Sequence, residues 1–335
     1  MNTATTTQTT IRALAAPDLE AVVAIDAAVG GHTRKAYFQR RLDSAVQQPQ
    51  LHVQLAALEG ASVIGYVLAR RTHGEFGHQH DGLRIEVLGV RADRQGKGVG
   101  RQMLDALRAY AGRHDIAELR TLGVWNDHAL LRWLDAMGFE MAPDLVLECS
   151  VEDGPRPERD DALGLPASQT PGHETDYGTP EGNDFERVQR TRCDVRPMQP
   201  QDLPPIVRID REITGRDRHP YIEAKLGEAL GETAVRVSLT ARLDDTIVGF
   251  LMARADLGDY GRSEPVAVLD TIGVDPSYGH RGVGRALVAH LFANLGALRV
   301  DRVETVVTPA ERPLLGFLLE TGFTRSGRLA FVRKI

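Results

Sequence analysis

The chain has 335 residues, 42% hydrophobic and 26% charged, with a formal net charge of −6. At roughly 150 residues per domain this is enough for two domains with a core each, and the acidic balance speaks against a nucleic-acid binder, which needs a basic face. Two cysteines, Cys149 and Cys193, give neither a disulfide framework nor a zinc spacing, which fits a reducing cytoplasm. The Thr-rich start (Met1 to Thr10) has no basic or apolar region, and no apolar run approaches ~18 residues, so neither secretion nor a membrane span is expected.

In chain order, Thr9 to Leu14 reads as a strand, and Ala16-Pro17-Asp18-Leu19 opens a helix with Leu19, Val22, Val23 and Ile25 on one face. Arg34 to Val46 gives a second helix. Leu51 to Leu58 and Ser62 to Arg70 form a hairpin about Glu59-Gly60. A loop leads to a strand from Leu83 to Val90, followed by Gln95-Gly96-Lys97-Gly98-Val99-Gly100-Arg101 and then by the periodic apolar residues Met103, Leu104 and Leu107 of a helix. A strand from Leu119 to Val124, a helix from His128 to Met137 stopped by Gly138, and a last strand from Leu145 to Val151 follow.

The strand, glycine turn and helix start make an anion cradle: glycines let successive N–H groups converge, and a helix start adds unpaired donors and a positive dipole end. The chain contains this motif twice. Gly98, Gly100 and Arg101 recur 184 positions on as Gly282, Gly284 and Arg285, and Asp18/Asp202, Ile25/Ile209, Asp26/Asp210, Arg70/Arg254 and Gly138-Phe139/Gly322-Phe323 keep that register without a gap. The chain is a duplicated domain, with a period far too long for a solenoid.

Residues 151–194 carry eleven acidic side chains against five arginines, so this Pro- and Gly-rich stretch accounts for the charge of the whole molecule. The domain limits read as a tail at 1–10, a first domain at 11–151, an acidic linker at 152–192 and a second domain at 193–335. The linker reads as solvated chain, with an autoinhibitory strap as the sharper alternative.

Gln95-Gly96-Lys97-Gly98-Val99-Gly100, after a strand ending Leu-Gly-Val and before a helix, resembles the acyl-CoA-binding signature of the GNAT superfamily of N-acyltransferases. The likeness extends over both copies, through the element order and the closing Gly-Phe. It implies an α/β (α+β) fold of two tandem GNAT-like domains, each a mixed, mostly antiparallel sheet flanked by helices and splayed open between its fourth and fifth strands. It further implies an acyltransferase that moves acetyl from acetyl-CoA to a primary amine of a small molecule or peptide by direct attack; composition and charge add the expectation of a cytoplasmic protein without nucleic acid or membrane, and no metal is expected. The alternative is a non-catalytic acyl-CoA-binding or interaction module. Packing of the two domains on each other remains open.

By the family pattern, amides around Leu88 and Val90 hold the thioester and pantetheine, and those of Gln95, Gly96, Lys97, Gly98, Val99, Gly100 and Arg101 take the pyrophosphate. In the second copy these become Ile272, Val274, Gly279, His280, Arg281, Gly282, Val283, Gly284 and Arg285, with Gly279 in place of the usual Gln or Arg. Asn126 matches a CoA-contacting Asn at one residue's extra spacing, and the second copy has Ala310 there. The family's acid, a tyrosine four residues before the Gly-Phe, is Leu134 in one copy and Leu318 in the other.

An ammonium must lose its proton before it attacks a thioester, and an alkylamine pKa of ~10.4 leaves little free base at neutral pH. Glu86 and Asp270, four residues before Val90 and Val274, are the candidate catalytic bases. Regular alternation places 86, 88 and 90 on one face of the strand. Acceptor recognition is expected from Arg34, Tyr37 and Glu75, with Arg218, Tyr221 and Asp259 as their counterparts, because an acid beside an aromatic suits a cationic amine. His73, His78, His80 and Asp81 cluster in one loop of the first copy alone and read as solvated side chains rather than a metal site.

Overall fold

A computed structural model describes residues 9–75, 81–157, 193–230, 237–257 and 265–335. The first copy contains β1 (Thr9–Ala13), α1 (Leu19–Gly30), α2 (Lys35–Gln47), β2 (His52–Glu59), β3 (Ser62–Thr72), β4 (Gly82–Val90), α3 (Val99–Arg113), β5 (Glu118–Val124), α4 (His128–Ala136), β6 (Glu140–Met141) and β7 (Leu145–Ser150). The second repeats the order with β8 (Asp194–Pro197), α5 (Leu203–Thr214), α6 (His219–Leu230), β9 (Leu239–Leu243), β10 (Thr246–Leu257), β11 (Pro265–Val274), α7 (Val283–Ala297), β12 (Arg302–Val307), α8 (Arg312–Glu320), β13 (Thr324–Arg325) and β14 (Arg328–Lys334). Every element read from the sequence of the first copy is present, with ends shifted by a residue or two. The two-residue β6 was not legible.

Two seven-stranded sheets result, and each borrows its neighbour's last strand. The first runs β1-β2-β3-β4-β5-β14-β6 and the second β13-β7-β12-β11-β10-β9-β8. The strand at Leu145 to Ser150 therefore forms as expected but completes the other sheet, pairing antiparallel with β12 from Leu145↔Val307 to Ser150↔Arg302. In return β14 pairs with β5 from Arg328↔Val124 to Lys334↔Glu118. Within each sheet only the fourth and fifth strands run parallel.

Helices cover both faces of the first sheet. Met103, Leu104 and Leu107 of α3 are fully buried against Ile64, Val67, Leu83 and Ile85, each such side chain contributing about 1.5–3 kcal/mol by leaving water. On the opposite face α1 and α2 bring Val22, Ile25 and Phe38 onto Tyr66, Leu68 and Val87. The second copy repeats both layers. Leu122 and Ala330 from one sheet meet Val146 and Val306 from the other in a small apolar seam. The copies thus share strands, a seam and, beside it, a buried ionic cluster.

Candidate active site

β4 and β5 are in register over only three pairs, Gly82↔Glu118, Leu83↔Leu119 and Arg84↔Arg120. Beyond them the strands part, while β4 stays paired with β3 as far as Gly65↔Val90. Among the described residues the ladder between β4 and β5 ends at Arg84, and just beyond it the Ile85 carbonyl accepts a hydrogen bond from Thr121 Oγ1 at 3.1 Å. β11 and β12 do the same after Val268↔Glu304, with Thr305 Oγ1 donating to the Leu269 carbonyl at 2.9 Å. This is the splay between the fourth and fifth strands that the family likeness implies.

The strand residues at each opening are shaped by their neighbours across the sheet. A Cβ on Gly89 would lie 2.5 Å from the Tyr66 ring, and one on Gly273 2.6 Å from Phe250. The glycine in Leu-Gly-Val is therefore the seat of an aromatic ring on the preceding strand. Leu88, Val90, Ile272 and Val274 are half-buried against the helix-side cores.

At the mouth of the first opening the chain turns through Gly96 (φ 72°) and Gly98 (φ 82°) into α3, with Gly98 as its N-cap. The glycines take the left-handed conformation that side chains avoid. Gln95 braces the turn by donating its side-chain amide to the Val90 carbonyl at 3.0 Å. Lys97 and Arg101 are exposed, and Gly100 gives Trp133 room, since a Cβ there would lie 3.2 Å from the indole nitrogen. The first-turn N–H groups of α3 have no intrahelical acceptor, and a helix start favours an anion. The arrangement can hold a diphosphate.

The second turn keeps the same trace with different residues. His280 stands where the first copy has Gly96 and accepts φ 60°, followed by Gly282 at φ 78° as the N-cap of α7. A non-glycine residue there costs roughly 1–2 kcal/mol. Gly279 supplies no brace like Gln95, while Arg281 lies over the Tyr278 ring at 5.2 Å. Val283 is buried, Gly284 makes room for Phe317, and Arg285 is exposed.

The alternation expected from Glu86 to Val90 does not hold. The β3–β4 ladder pairs Leu68 with Val87 and Ala69 with Ile85, leaving Glu86 as the extra residue of a bulge. Leu88 and Val90 belong to the core under α3, whereas Glu86 reaches α2 on the other face, where Arg41 Nη2 lies 2.8 Å from its Oε2. Its Oε1 is buried without a hydrogen-bond partner among the described residues. Asp270 occupies the equivalent bulge between Met252↔Thr271 and Ala253↔Leu269. Its Oδ2 takes Lys225 Nζ at 3.1 Å and Arg254 Nε at 3.3 Å. Burial alone pushes the Asp270 carboxyl up, but Lys225, Arg254 and Arg70 outweigh it and hold the group at about 2.

The residues expected to meet an acceptor are largely engaged within the chain. Arg34 forms a bidentate pair with Asp26 at 2.8 and 2.6 Å, and Tyr66 also donates to Asp26, at 2.9 Å. Arg218 pairs with Asp210 in the same way and donates to the carbonyl of Gly74, across the copies, at 2.7 Å. Tyr37 packs edge-on to Phe38, and Tyr221 lies beneath Arg218 at 4.6 Å. Glu75 does hold a cation, but it is Lys225 of the second copy, at 2.9 Å. Asp259, with Phe76, His78 and His80, lies outside the described residues. His73 is 3.2 Å from Asp81, and no group of His, Cys, Asp or Glu among the described residues is arranged to hold a metal.

Leu134 and Leu318 are buried core residues, 2% and 0% exposed, so the position of the family's tyrosine is filled by packing in both copies. Asn126 is exposed in the turn between β5 and α4, where the following Asp127 caps α4 by accepting the Leu130 N–H at 3.0 Å. Sequence reasoning missed the ionic cluster between the copies. Its signal was the recurrence of Arg70 as Arg254 within strands otherwise made of apolar residues.

The model of the acetyltransferase (GNAT) family matches residues 20–139 and again 204–323, in the register of the internal repeat. The chain belongs to the GNAT acetyltransferase family. As a tandem GNAT protein it is similar along its length to two solved structures. One is a tandem GNAT protein from the clavulanic acid biosynthesis pathway, 16% identical with a TM-score of 0.59 over 98% of both chains. The other is a GCN5-related N-acetyltransferase from Sphaerobacter thermophilus, 14% identical with a TM-score of 0.56 over 97% of this chain and 95% of that one. It also resembles a GCN5-related glucosamine N-acetyltransferase region of a fungal multi-domain GH3 β-N-acetylglucosaminidase, 15% identical with a TM-score of 0.61; 97% of this GNAT chain spans 38% of that protein. At these identities the likeness is one of fold. No curated protein matches in sequence. No helix among the described residues is long and apolar enough to cross a membrane.

Proposed function

We propose that this protein is an N-acetyltransferase that moves acetyl from acetyl-CoA to the primary amine of a small molecule or peptide, by direct attack while both are bound. The observation that carries the reading is the parting of β4 from β5 beside the glycine-turned start of α3, repeated at β11, β12 and α7. The strand edge beyond the last parallel pair of each sheet suits the amide groups of pantetheine, and each turn suits the pyrophosphate, where a charge-assisted hydrogen bond contributes about 1.5–3 kcal/mol. The domain limits read from the sequence, 11–151 and 193–335, are kept as those of the two duplicated units, with the last strands exchanged.

Of the two strand carboxylates, Glu86 is the stronger candidate for the base. Its buried Oε1 has no hydrogen-bond partner among the described residues and keeps a lone pair for a proton, whereas Asp270 is held ionised by Lys225, Arg254 and Arg70 and is a weak base. Once the amine is neutral, its nitrogen attacks the thioester carbon; the C–N bond forms, the C–S bond breaks, the sulfur leaves with the bonding pair and the nitrogen gives its second proton to solvent. With Leu134 and Leu318 at the family's acid position, the sulfur departs as a thiolate, which an ordinary thiol pKa of ~8.5 allows near neutral pH. Solvent returns its proton.

Thiol release from acetyl-CoA, followed with an amine panel, tests this reading. Glu86→Gln is expected to lower kcat by about 10²–10⁴ and leave acetyl-CoA binding intact, as for loss of a general base. Asp270→Asn is expected to act on stability rather than on the chemical step. Full activity in Glu86→Gln would overturn the assignment.

A further inference from the structure

The two strand partings begin at one place. Arg84, in the last β4–β5 pair, and Val268, in the last β11–β12 pair, both line a cavity of about 70 Å³ between the sheets. Its floor is apolar, with Leu122, Val306 and Ala330 of the seam. Positions 70 and 254, 84 and 268, and 122 and 306 are repeat equivalents, so equivalent positions of the two copies line the cavity.

Its walls are not equivalent. The first copy contributes the guanidinium groups of Arg70, Arg84 and Arg120 together with the carboxylates of Glu75 and Asp144; the second contributes Arg254, Val268 and Asp270. Arg70 Nε and Glu75 Oε2, both on the lining, are buried atoms without a hydrogen-bond partner among the described residues. One is a donor that lacks an acceptor and the other an acceptor that lacks a donor, each costing about 1–3 kcal/mol if left so. Burial, with Arg70 and Arg84 nearby, weakens the hold of Arg254 on its proton against the pull of Asp270. A ligand carboxylate among these guanidiniums supplies the acceptor that Arg70 Nε lacks. An ammonium on the same ligand supplies the donor that Glu75 lacks.

We infer that this cavity is a binding site for a small α-amino acid, its carboxylate toward the arginines of the first copy and its ammonium toward Glu75. At ~10–15 Å³ for each ordered water, the space takes roughly five to seven water-sized groups, about the size of glycine, alanine or serine. The apolar floor accepts a short aliphatic side chain. The site draws on both copies, and it stands independently of acetyl transfer because binding is read without acetyl-CoA.

The experiment is calorimetric titration of the full chain with L-alanine, propionate and ethylamine, each alone. Alanine is expected to bind at least about tenfold more tightly than either single-headed analogue, since each charged contact is worth a factor of that order. Arg84→Val, which installs the side chain the second copy carries at this position, is expected to weaken alanine about tenfold while acetyl-CoA binding is unchanged. Glu75→Gln is expected to reduce alanine to the affinity of propionate, and it serves if Arg84→Val does not fold. Absence of alanine binding, equal affinity for alanine and propionate, or wild-type alanine affinity in the folded variants would each overturn the proposal. None of these results would touch the transferase reading, which fails only on thiol release.

Discussion

Lys225 Nζ of the second copy lies 2.9 Å from Glu75 Oε1 of the first, with the lysine 4% and the glutamate 15% exposed. Asp270 and Glu228 also face this ammonium, at 3.1 and 3.5 Å, and Arg70 of the first copy pairs in turn with Glu228. Burial alone would strip the lysine of its proton, but the three carboxylates outweigh it and raise the group to about 12. Lys225 is the repeat equivalent of Arg41, which holds Glu86 in the first copy. Each copy thus makes the same internal cation–carboxylate pair, Arg41 with Glu86 and Lys225 with Asp270, and in the second copy the cation also bonds across the copies.

Removing one partner from a buried ionic group leaves uncompensated charge and typically costs about 3–5 kcal/mol. Lys225→Met is therefore expected to lower unfolding stability by that order, measured by denaturant titration at neutral pH. A loss below about 0.5 kcal/mol, the range of ordinary surface substitutions, would show that the cluster contributes little to holding the copies together.

The exchange of β7 and β14 makes each sheet depend on both halves. A chain cut by protease between residues 158 and 192 is expected to remain one particle in gel filtration and to unfold in a single transition. Residues 9–157 produced alone would lack β14 beside β5 and expose an unpaired strand edge, a template for aggregation. Two separable, independently melting halves would contradict the exchange.

His52 sits opposite Arg70 in the β2–β3 ladder and is 8% exposed. Burial, reinforced by Arg70, Arg41 and Arg254, lowers its pKa from 6.5 to about 2. Its neutral form is native, so the stability it permits is whole above pH 6.5 and falls as pH drops toward 2, by ~1.4 kcal/mol per pH unit. Between pH 6.5 and 5 the native protein is expected to lose about 2 kcal/mol more than His52→Gln, measured by urea unfolding at each pH. Parallel pH profiles would refute this role.

The fold was legible because its signals are local and doubled. Apolar periodicity, Gly98 before α3 and Gly138 after α4 each mark an element, and the 184-residue register repeats them. Two things were not. Strand exchange involves segments of the same pattern, since Leu145–Ser150 and Arg328–Lys334 suit either sheet equally, and sequence carries no sign of which edge they choose. The bulge at Glu86 adds one residue to a strand without altering its composition, so strict alternation assigned the carboxylate to the wrong face. The candidate site divides the same way. The turns were visible in their glycines, whereas the partners of Glu75 and Asp270 come from a helix of the second copy, and long-range charge pairing leaves no spacing to read.

Gly98 and Gly282 each hold a left-handed N-cap with open space around them, so alanine there strains the backbone by about 1–2 kcal/mol without a clash. Calorimetry is expected to find two acetyl-CoA sites per chain, with one weakened about tenfold in Gly98→Ala and the other in Gly282→Ala. A single site, lost in Gly98→Ala alone, would assign CoA binding to the first copy only.

The most direct test of the account is to mix the intact chain with acetyl-CoA and a panel of amines, namely small amino acids, polyamines, aminoglycosides and lysine peptides, and to follow free thiol and N-acetylated product together. At least one amine is expected to release thiol in step with its own acetylation, at a rate that falls when Glu86 is replaced by Gln. Acetyl-CoA that binds and stays intact with every amine would contradict it, and would make the protein a tandem GNAT fold that holds acyl-CoA without transferring it.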